Sequence, residues 1–182
     1  MRWQTPVFAA VSLNTVLARS THAQLTDHTG RTAIRVAVGV PVPVGDFRTN
    51  FASGSQFSIQ ILYAPRELKR LALRGEAGIS RFTGRGTVIG RSALDATGSL
   101  LWRVDAAHDE AIRRAYIVAG LGYSHFVATS TVPESFGGMT TSAGVGTEFR
   151  LLGRKVFSEL RFVQMHSSPV MRWIPIMIGT EF

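Results

Sequence analysis

Residues 34–44 read Ile-Arg-Val-Ala-Val-Gly-Val-Pro-Val-Pro-Val, in which every second side chain is apolar. Successive side chains of a β-strand point to opposite faces, so a period of two predicts a long strand with one apolar face. Ile34 lies on that face and Arg35 on the other. Pro41 and Pro43 each lack a backbone donor, and we therefore expect this part of the strand to be bulged or frayed.

The same period runs through the rest of the chain. Further apolar faces begin at Phe57, Leu71, Leu94, Ile117, Val145, Leu160 and Ile174. Turn-forming residues occupy 46–55, 83–91, 128–138 and 166–169, and compact charged connections occupy 65–70, 106–113 and 152–155. Two alternating kinds of connection predict a single domain of antiparallel hairpins, with one kind on each rim. In the tightest connection, Gly153 is expected to take a positive φ.

Alternation alone fits both a soluble barrel with an apolar lumen and a membrane barrel with an apolar exterior. The strands run about ten to thirteen residues, which suits a tilted bilayer crossing better than the usual soluble strand. The less apolar face carries glycine, serine and charges of both signs, as in the crowded interior of a small barrel. The prediction is an all-β fold, an eight-stranded antiparallel up-and-down transmembrane β-barrel.

The last strand carries a family resemblance. Residues 173–182 end at Phe182, with Thr180, Ile178 and Ile176 in phase, and this pattern resembles the C-terminal assembly signal of bacterial outer-membrane β-barrel proteins. Residues 39–47, 120–123 and 159–162 are similar to recurrent pieces of small OmpA-like or OmpX-like barrel domains. The resemblance implies a location in the bacterial cell outer membrane, contact with outer-membrane lipid, and recognition by the barrel-assembly machinery. It specifies architecture and no activity.

The first 23 residues have the features of a signal peptide. Arg2 precedes a mostly apolar run over residues 7–17, and Thr21-His22-Ala23 offers small residues for cleavage after Ala23. The alternative, a buried N-terminal helix, is disfavoured by Pro6 and by the polar residues that follow it. We expect a signal peptide over residues 1–23 and a barrel domain over residues 24–182.

Charge and composition exclude several classes of function. The formal net charge is +8 and there is no cysteine, so thiolate chemistry is excluded. The basic residues are scattered singly, and nucleic acid is therefore not an expected partner. His108 stands in a charged turn without a second histidine nearby, and neither a metal nor a cofactor is expected. We expect a monomer.

Strand parity directs many charged side chains into the lumen. With Asp105, the predicted set is Arg35, Arg74, Glu76, Asp95, Arg103, Glu148, Arg150, Glu159, Arg161 and Glu181. Because an eight-stranded barrel is filled by its own side chains, mixed signs favour a salt-bridged plug. The alternative is a narrow or gated polar pathway.

Aromatic residues near the strand ends are expected to face lipid or the headgroups; they are Tyr63, Trp102, Tyr123, Phe126, Phe162, Trp173 and Phe182. A second group is expected in exposed loops, where it would suit anionic lipid headgroups or a partner: Phe47, Arg48, Phe51, Arg85, Arg91 and Phe136.

Catalysis is not expected. His166 and Ser168 form a His-x-Ser pair, but parity places them on the lipid face, whereas Glu181 faces the lumen near the opposite rim. The leading hypothesis is a non-enzymatic integral outer-membrane protein with a structural or surface-interaction role. The alternatives are a narrow passive channel for small solutes, a soluble lipocalin-like binder, and a lipid A-modifying enzyme.

Overall fold

The computed structural model describes residues 30–68, 70–104, 114–127 and 134–182. The chain forms a closed barrel of eight strands in sequence order, with every neighbouring pair antiparallel and β8 paired with β1. The strands are β1 (Gly30–Val44), β2 (Phe51–Pro65), β3 (Leu71–Gly84), β4 (Arg91–Val104), β5 (Arg114–Phe126), β6 (Phe136–Leu151), β7 (Arg154–His166) and β8 (Met171–Glu181), with one short helix, α1 (Phe47–Asn50). The predicted fold class is confirmed, and the predicted signal peptide lies outside the described residues.

The barrel closes between its first and last strands. Their register runs from Arg35 opposite Glu181 to Val44 opposite Arg172. The backbone N–H of Phe182 donates to the carbonyl of Ile34 over 2.8 Å. Closure leaves no open sheet edge. This matters in a bilayer, because lipid cannot satisfy the backbone N–H and C=O groups of an unpaired strand. No helix within the described ranges is long and apolar enough to span a bilayer.

Side-chain direction follows the predicted period of two. On β1, Ile34 and Val38 are about half exposed (50% and 55%), whereas Arg35 between them is 1% exposed. The apolar side chains therefore cover the outside of the barrel. This contradicts the soluble, lipocalin-like alternative, in which the same side chains would line a cavity. The connections after β1, β3, β5 and β7 lie at one end of the barrel, which we term the loop rim. The remaining connections lie at the other end, with the start of β1 and the end of β8, and we term this end the terminal rim.

The prolines of β1 disturb only one of its two ladders. Pairing with β2 ends at Gly39 opposite Gln56, but pairing with β8 continues past Pro41 and Pro43 without a register shift. The expected fraying is therefore confined to the β2 side. A shift does occur in β2, between Ala52 and Ser55, where a Cβ on Gly54 would lie 1.7 Å from the carbonyl oxygen of Arg81.

Several connections are shorter than predicted, two of them markedly so at the loop rim. β2 begins at Phe51, where it pairs with Gly84, and β6 begins at Phe136, opposite Phe126. Turn-forming residues thus continue the sheet at the loop rim, because a neighbouring strand is present to pair with them. The tight connection at 152–153 is a two-residue hairpin loop, and Gly153 has φ 77°, as predicted. Leu152 beside it also has a positive φ, of 50°, which was not predicted.

Candidate functional site: the filled barrel interior

A buried group of ion pairs, the central network, crosses the middle of the lumen. Arg74 and Glu76 lie two apart on β3, and Glu159 and Arg161 lie two apart on β7, so each pair shares the inner face. Arg74 Nη1 lies 2.7 Å from Glu159 Oε2, and Arg161 Nη2 lies 2.7 Å from Glu76 Oε1. Arg161 Nε also lies 2.9 Å from Glu159 Oε1. Tyr116, a member that was not predicted, donates its hydroxyl to Glu159 over 2.7 Å.

A second group, the terminal cluster, lies toward the terminal rim. Buried Arg35 pairs with Glu148 and, over 2.8 Å, with Glu181. Its guanidinium also lies over the ring of Phe157, 4.8 Å from the centroid. Lys155 Nζ lies 2.9 Å from Glu181 and was missed from the sequence, because it was assigned to a turn. Arg103 contributes a longer contact, 3.9 Å, to Glu148.

Not every predicted lumen charge joins these groups. Arg150 is exposed at the end of β6, opposite Lys155 in the register. Parity places it on the inner face, but the strand ends before a neighbouring carboxylate comes within reach. This residue therefore does not join the terminal cluster, and its membership of a lumen charge network stays a prediction. Asp105 lies outside the described residues.

Asp95 forms no ion pair with the described arginines and lies in a polar layer between the central network and the loop rim. It accepts hydrogen bonds from Ser80 over 2.7 Å and from Ser124 over 2.6 Å. Beside it is a cavity of about 20 Å³, lined by Gln56, Arg161 and several hydroxyl side chains. This space suits about one water molecule.

Aromatic side chains fill the lumen at the loop rim and form what we term the aromatic plug: Phe47, Phe51, Phe82, Phe126, Phe136 and Trp173. Phe47 enters from α1, and its ring centroid lies 4.8 Å from that of Phe51 and 5.0 Å from that of Phe82. Phe126 stacks on Phe136 at 4.9 Å, and Arg91 covers the Phe136 ring at 5.1 Å. The mouth of the barrel is therefore closed by packed rings.

The aromatic plug corrects two predictions. Phe126 and Trp173 do not face lipid, because alternation places them on the inner face with Ser124 and Pro175. Nor are Phe47, Phe51 and Phe136 exposed loop residues, since all three pack within the plug and Phe136 is the first residue of β6. Proximity to a strand end misled both assignments. The outward direction of the remaining aromatic residues agrees with expectation where they are exposed, at Trp102, Tyr123, Phe162 and Phe182. Tyr63 is half-buried.

The candidate catalytic residues do not converge. His166 is exposed on the outer wall, where its Nε2 lies 3.1 Å from the hydroxyl oxygen of Thr141. Glu181 belongs to the terminal cluster on the inner face near the opposite rim. The triad considered from the sequence is therefore not assembled. Within the described ranges, no group of three metal-ligating side chains comes together either.

The proposed assembly signal lies on the outer wall of β8. Ile176 and Ile178 are half exposed, Phe182 is exposed, and Thr180 is half-buried. The Thr180 hydroxyl donates to the carbonyl of Lys155 over 3.1 Å, which ties the end of β8 to β7. These side chains share one face, as the period of two requires.

Known proteins resemble this chain in fold but not detectably in sequence. No family model and no curated protein matches it. Among solved structures, Neisserial surface protein A matches with a TM-score of 0.63 at 11% identity, covering 82% of this chain and 95% of that one. The outer membrane protein OprG from Pseudomonas aeruginosa matches with a TM-score of 0.55 at 12% identity, covering 84% and 96%. The N-terminal β-barrel domain of OprF from the same organism matches with a TM-score of 0.53 at 11% identity, covering 84% and 99%.

The chain therefore has the fold of the small bacterial outer-membrane β-barrels, of OmpA-like or OmpX-like size. This confirms the class that the sequence resemblance implied. An apolar exterior on a closed eight-stranded barrel is the surface that such proteins present to lipid. This surface agrees with the outer-membrane location that the sequence resemblance implies.

Proposed function

We propose that the protein is a non-enzymatic, non-conducting membrane barrel whose role is structural or lies in surface contact through its loop rim. The observation that carries this proposal is closure of the lumen at two separate levels. The aromatic plug blocks the mouth, and the central network fills the middle. A solute would have to displace packed rings and then separate charges that are almost entirely shielded from water.

The central network is costly to open. Arg74 and Glu159 are both 0% exposed in their side chains, and their contact is 2.7 Å. Parting such a pair leaves uncompensated charge in a poorly solvated interior. The interior therefore suits a rigid support for the wall and loops better than it suits a pathway.

A narrow passive channel is the second candidate, and one observation favours it. The cavity beside Asp95 lies between the aromatic plug and the central network, and its walls carry Gln56 and Arg161. Phe47, whose ring packs against Trp173 in the wall of that space, belongs to α1 and not to a strand. Movement of α1 would remove one of the rings that separate this polar space from the loop rim.

Conductance across planar bilayers tests the proposal. The refolded chain is expected to give no steady open channels, and large steady openings would overturn the non-conducting assignment. Phe47→Ser, with Thr49→Ser on the same helix as control, separates the two candidates. We expect Phe47→Ser to stay closed because the central network remains. Openings specific to this variant would favour the gated channel.

Assembly and stoichiometry complete the proposal. The outward row Ile176, Ile178, Thr180 and Phe182 supports recognition of β8 by the barrel-assembly machinery, since it resembles the terminal signal of such barrels. Phe182→Ala should slow appearance of the folded, heat-modifiable form in cells, whereas Leu151→Ala, at another exposed apolar position, should not.

The closed sheet offers no edge for pairing with another copy, which supports a monomer; light scattering in detergent would test this.

A further inference from the structure

A polar row interrupts the apolar outer wall near the loop rim. Thr141 on β6 lies opposite Gln164 on β7, and Gln164 lies opposite Arg172 on β8. These side chains point outward, because they alternate with inner-face residues such as Met165 and Trp173. With His166, two positions beyond Gln164 on β7, they form what we term the wall patch.

Two hydrogen bonds connect the wall patch across its three strands. Arg172 Nε donates to Gln164 Oε1 over 2.9 Å. His166 Nε2 lies 3.1 Å from Thr141 Oγ1. The first bond uses only Nε of the guanidinium, and no ion pair reaches Arg172 from the described part of the chain. Its two terminal NH₂ groups are therefore available to an external acceptor.

Apolar side chains border the wall patch on three sides. Leu121 on β5 lies opposite Thr141, and Val44 on β1 lies opposite Arg172. Toward the terminal rim, the next outward residues are Phe162 on β7 and Ile174 on β8. The fourth side opens onto the loop rim. An exposed guanidinium at the upper border of a lipid-facing wall lies where headgroups begin.

We propose that the wall patch binds the phosphate group of a membrane lipid whose acyl chains lie along the adjoining apolar wall. The guanidinium of Arg172 can donate two parallel hydrogen bonds to phosphate oxygens. The His166 ring and the Thr141 hydroxyl supply further polar contacts beside it. Continuity with the lipid-facing wall favours a lipid over a free anion. The inference rests on the membrane location of the barrel and not on its failure to conduct.

Native mass spectrometry of the refolded full chain in detergent tests the site, with diphosphoryl lipid A as the probe. One equivalent should bind, and Arg172→Gln should weaken binding by at least about fivefold, since one basic residue contributes roughly this factor at an anionic surface. Arg172→Lys should retain part of the affinity because it keeps the charge. The matched control is Arg81→Gln, which removes another exposed, outward-facing arginine near the same rim, on β3.

Three outcomes would overturn the proposal. Equal losses in Arg81→Gln and Arg172→Gln would show attraction to overall charge and not a site. Equal binding of enzymatically dephosphorylated lipid A would show that phosphate is not recognised. Displacement of the lipid by inorganic phosphate at the same concentration would show a free-anion site. Heat-modifiable migration of each variant verifies folding, and conductance is measured separately, so failure here is distinguishable from failure of the proposed function.

Discussion

Arg74 Nη1 donates a hydrogen bond of 2.7 Å to Glu159 Oε2 in the middle of the barrel, between residues 85 positions apart in the chain. The same carboxylate accepts a hydrogen bond of 2.7 Å from Tyr116 and lies 2.9 Å from Arg161 Nε. Glu159 thus contacts two guanidinium groups and a phenol hydroxyl. Removing this carboxylate therefore breaks three contacts of the central network, with Arg74, Arg161 and Tyr116.

Glu159→Gln should destabilise the folded barrel by about 3–5 kcal/mol, since it leaves buried arginine charge without its carboxylate. The free energy of unfolding, measured by urea titration in phospholipid vesicles, checks this value. Glu67→Gln removes an exposed carboxylate and should change the free energy by less than about 0.5 kcal/mol. Equal effects of the two substitutions would contradict the structural role of the central network.

Leu152→Asn should stabilise the hairpin between β6 and β7 by about 1 kcal/mol. Leu152 has φ 50° and is 96% exposed, so it carries the cost of a left-handed backbone without compensating packing in the chain. Asparagine tolerates this conformation and is favoured in two-residue hairpin loops. Gly153→Ala should instead lower the free energy of unfolding in the same urea titration, because Gly153 has φ 77° and alanine disfavours that conformation. Loss of stability in Leu152→Asn would indicate that the leucine is held by lipid contact.

The sequence predicts which side chains point into the lumen, but it does not predict which charged residues pair with one another there. The period of two places Arg74, Glu76, Glu159 and Arg161 on the inner face because parity is a local property of a strand. Which arginine meets which carboxylate depends on how far each strand is staggered around the closed barrel. Several different staggers preserve the same inward and outward faces, and the stagger becomes known only when β8 is paired with β1.

The members of the aromatic plug differ in how far the sequence predicts their direction. Trp173 and Phe126 could have been found, because they are in phase with inward-facing neighbours. Phe47 could not, since it lies on a four-residue helix outside the alternation. Its inward direction depends on the space left between the rings of Phe51 and Phe82, which is a property of the closed barrel.

Phe47→Ala should release α1 from the mouth of the barrel. The ring centroids of Phe47 and Phe82 lie 5.0 Å apart, whereas the neighbouring Arg48 is exposed. Losing this buried ring should raise the population of locally opened loop, so trypsin should cleave after Arg48 at least about tenfold faster. Mass spectrometry of the fragment that begins at position 49 gives the rate in each variant. Thr49→Ala changes an exposed side chain on the same helix and should leave the rate unchanged; acceleration by both would show that α1 is only loosely held.

Gly54→Ala should destabilise the barrel by at least about 1–3 kcal/mol. Gly75→Ala should leave its stability nearly unchanged. An added Cβ at Gly54 would lie 1.7 Å from the carbonyl oxygen of Arg81, at the register shift between β2 and β3. Backbone cannot yield as a flexible side chain does, so the two strands would have to move apart. At Gly75, on the neighbouring strand β3, nothing lies within 4 Å of the added atom. The two variants carry the same chemical change, and urea titration therefore isolates the close approach of β2 and β3. A neutral Gly54→Ala would show that the register shift can relax without loss of pairing.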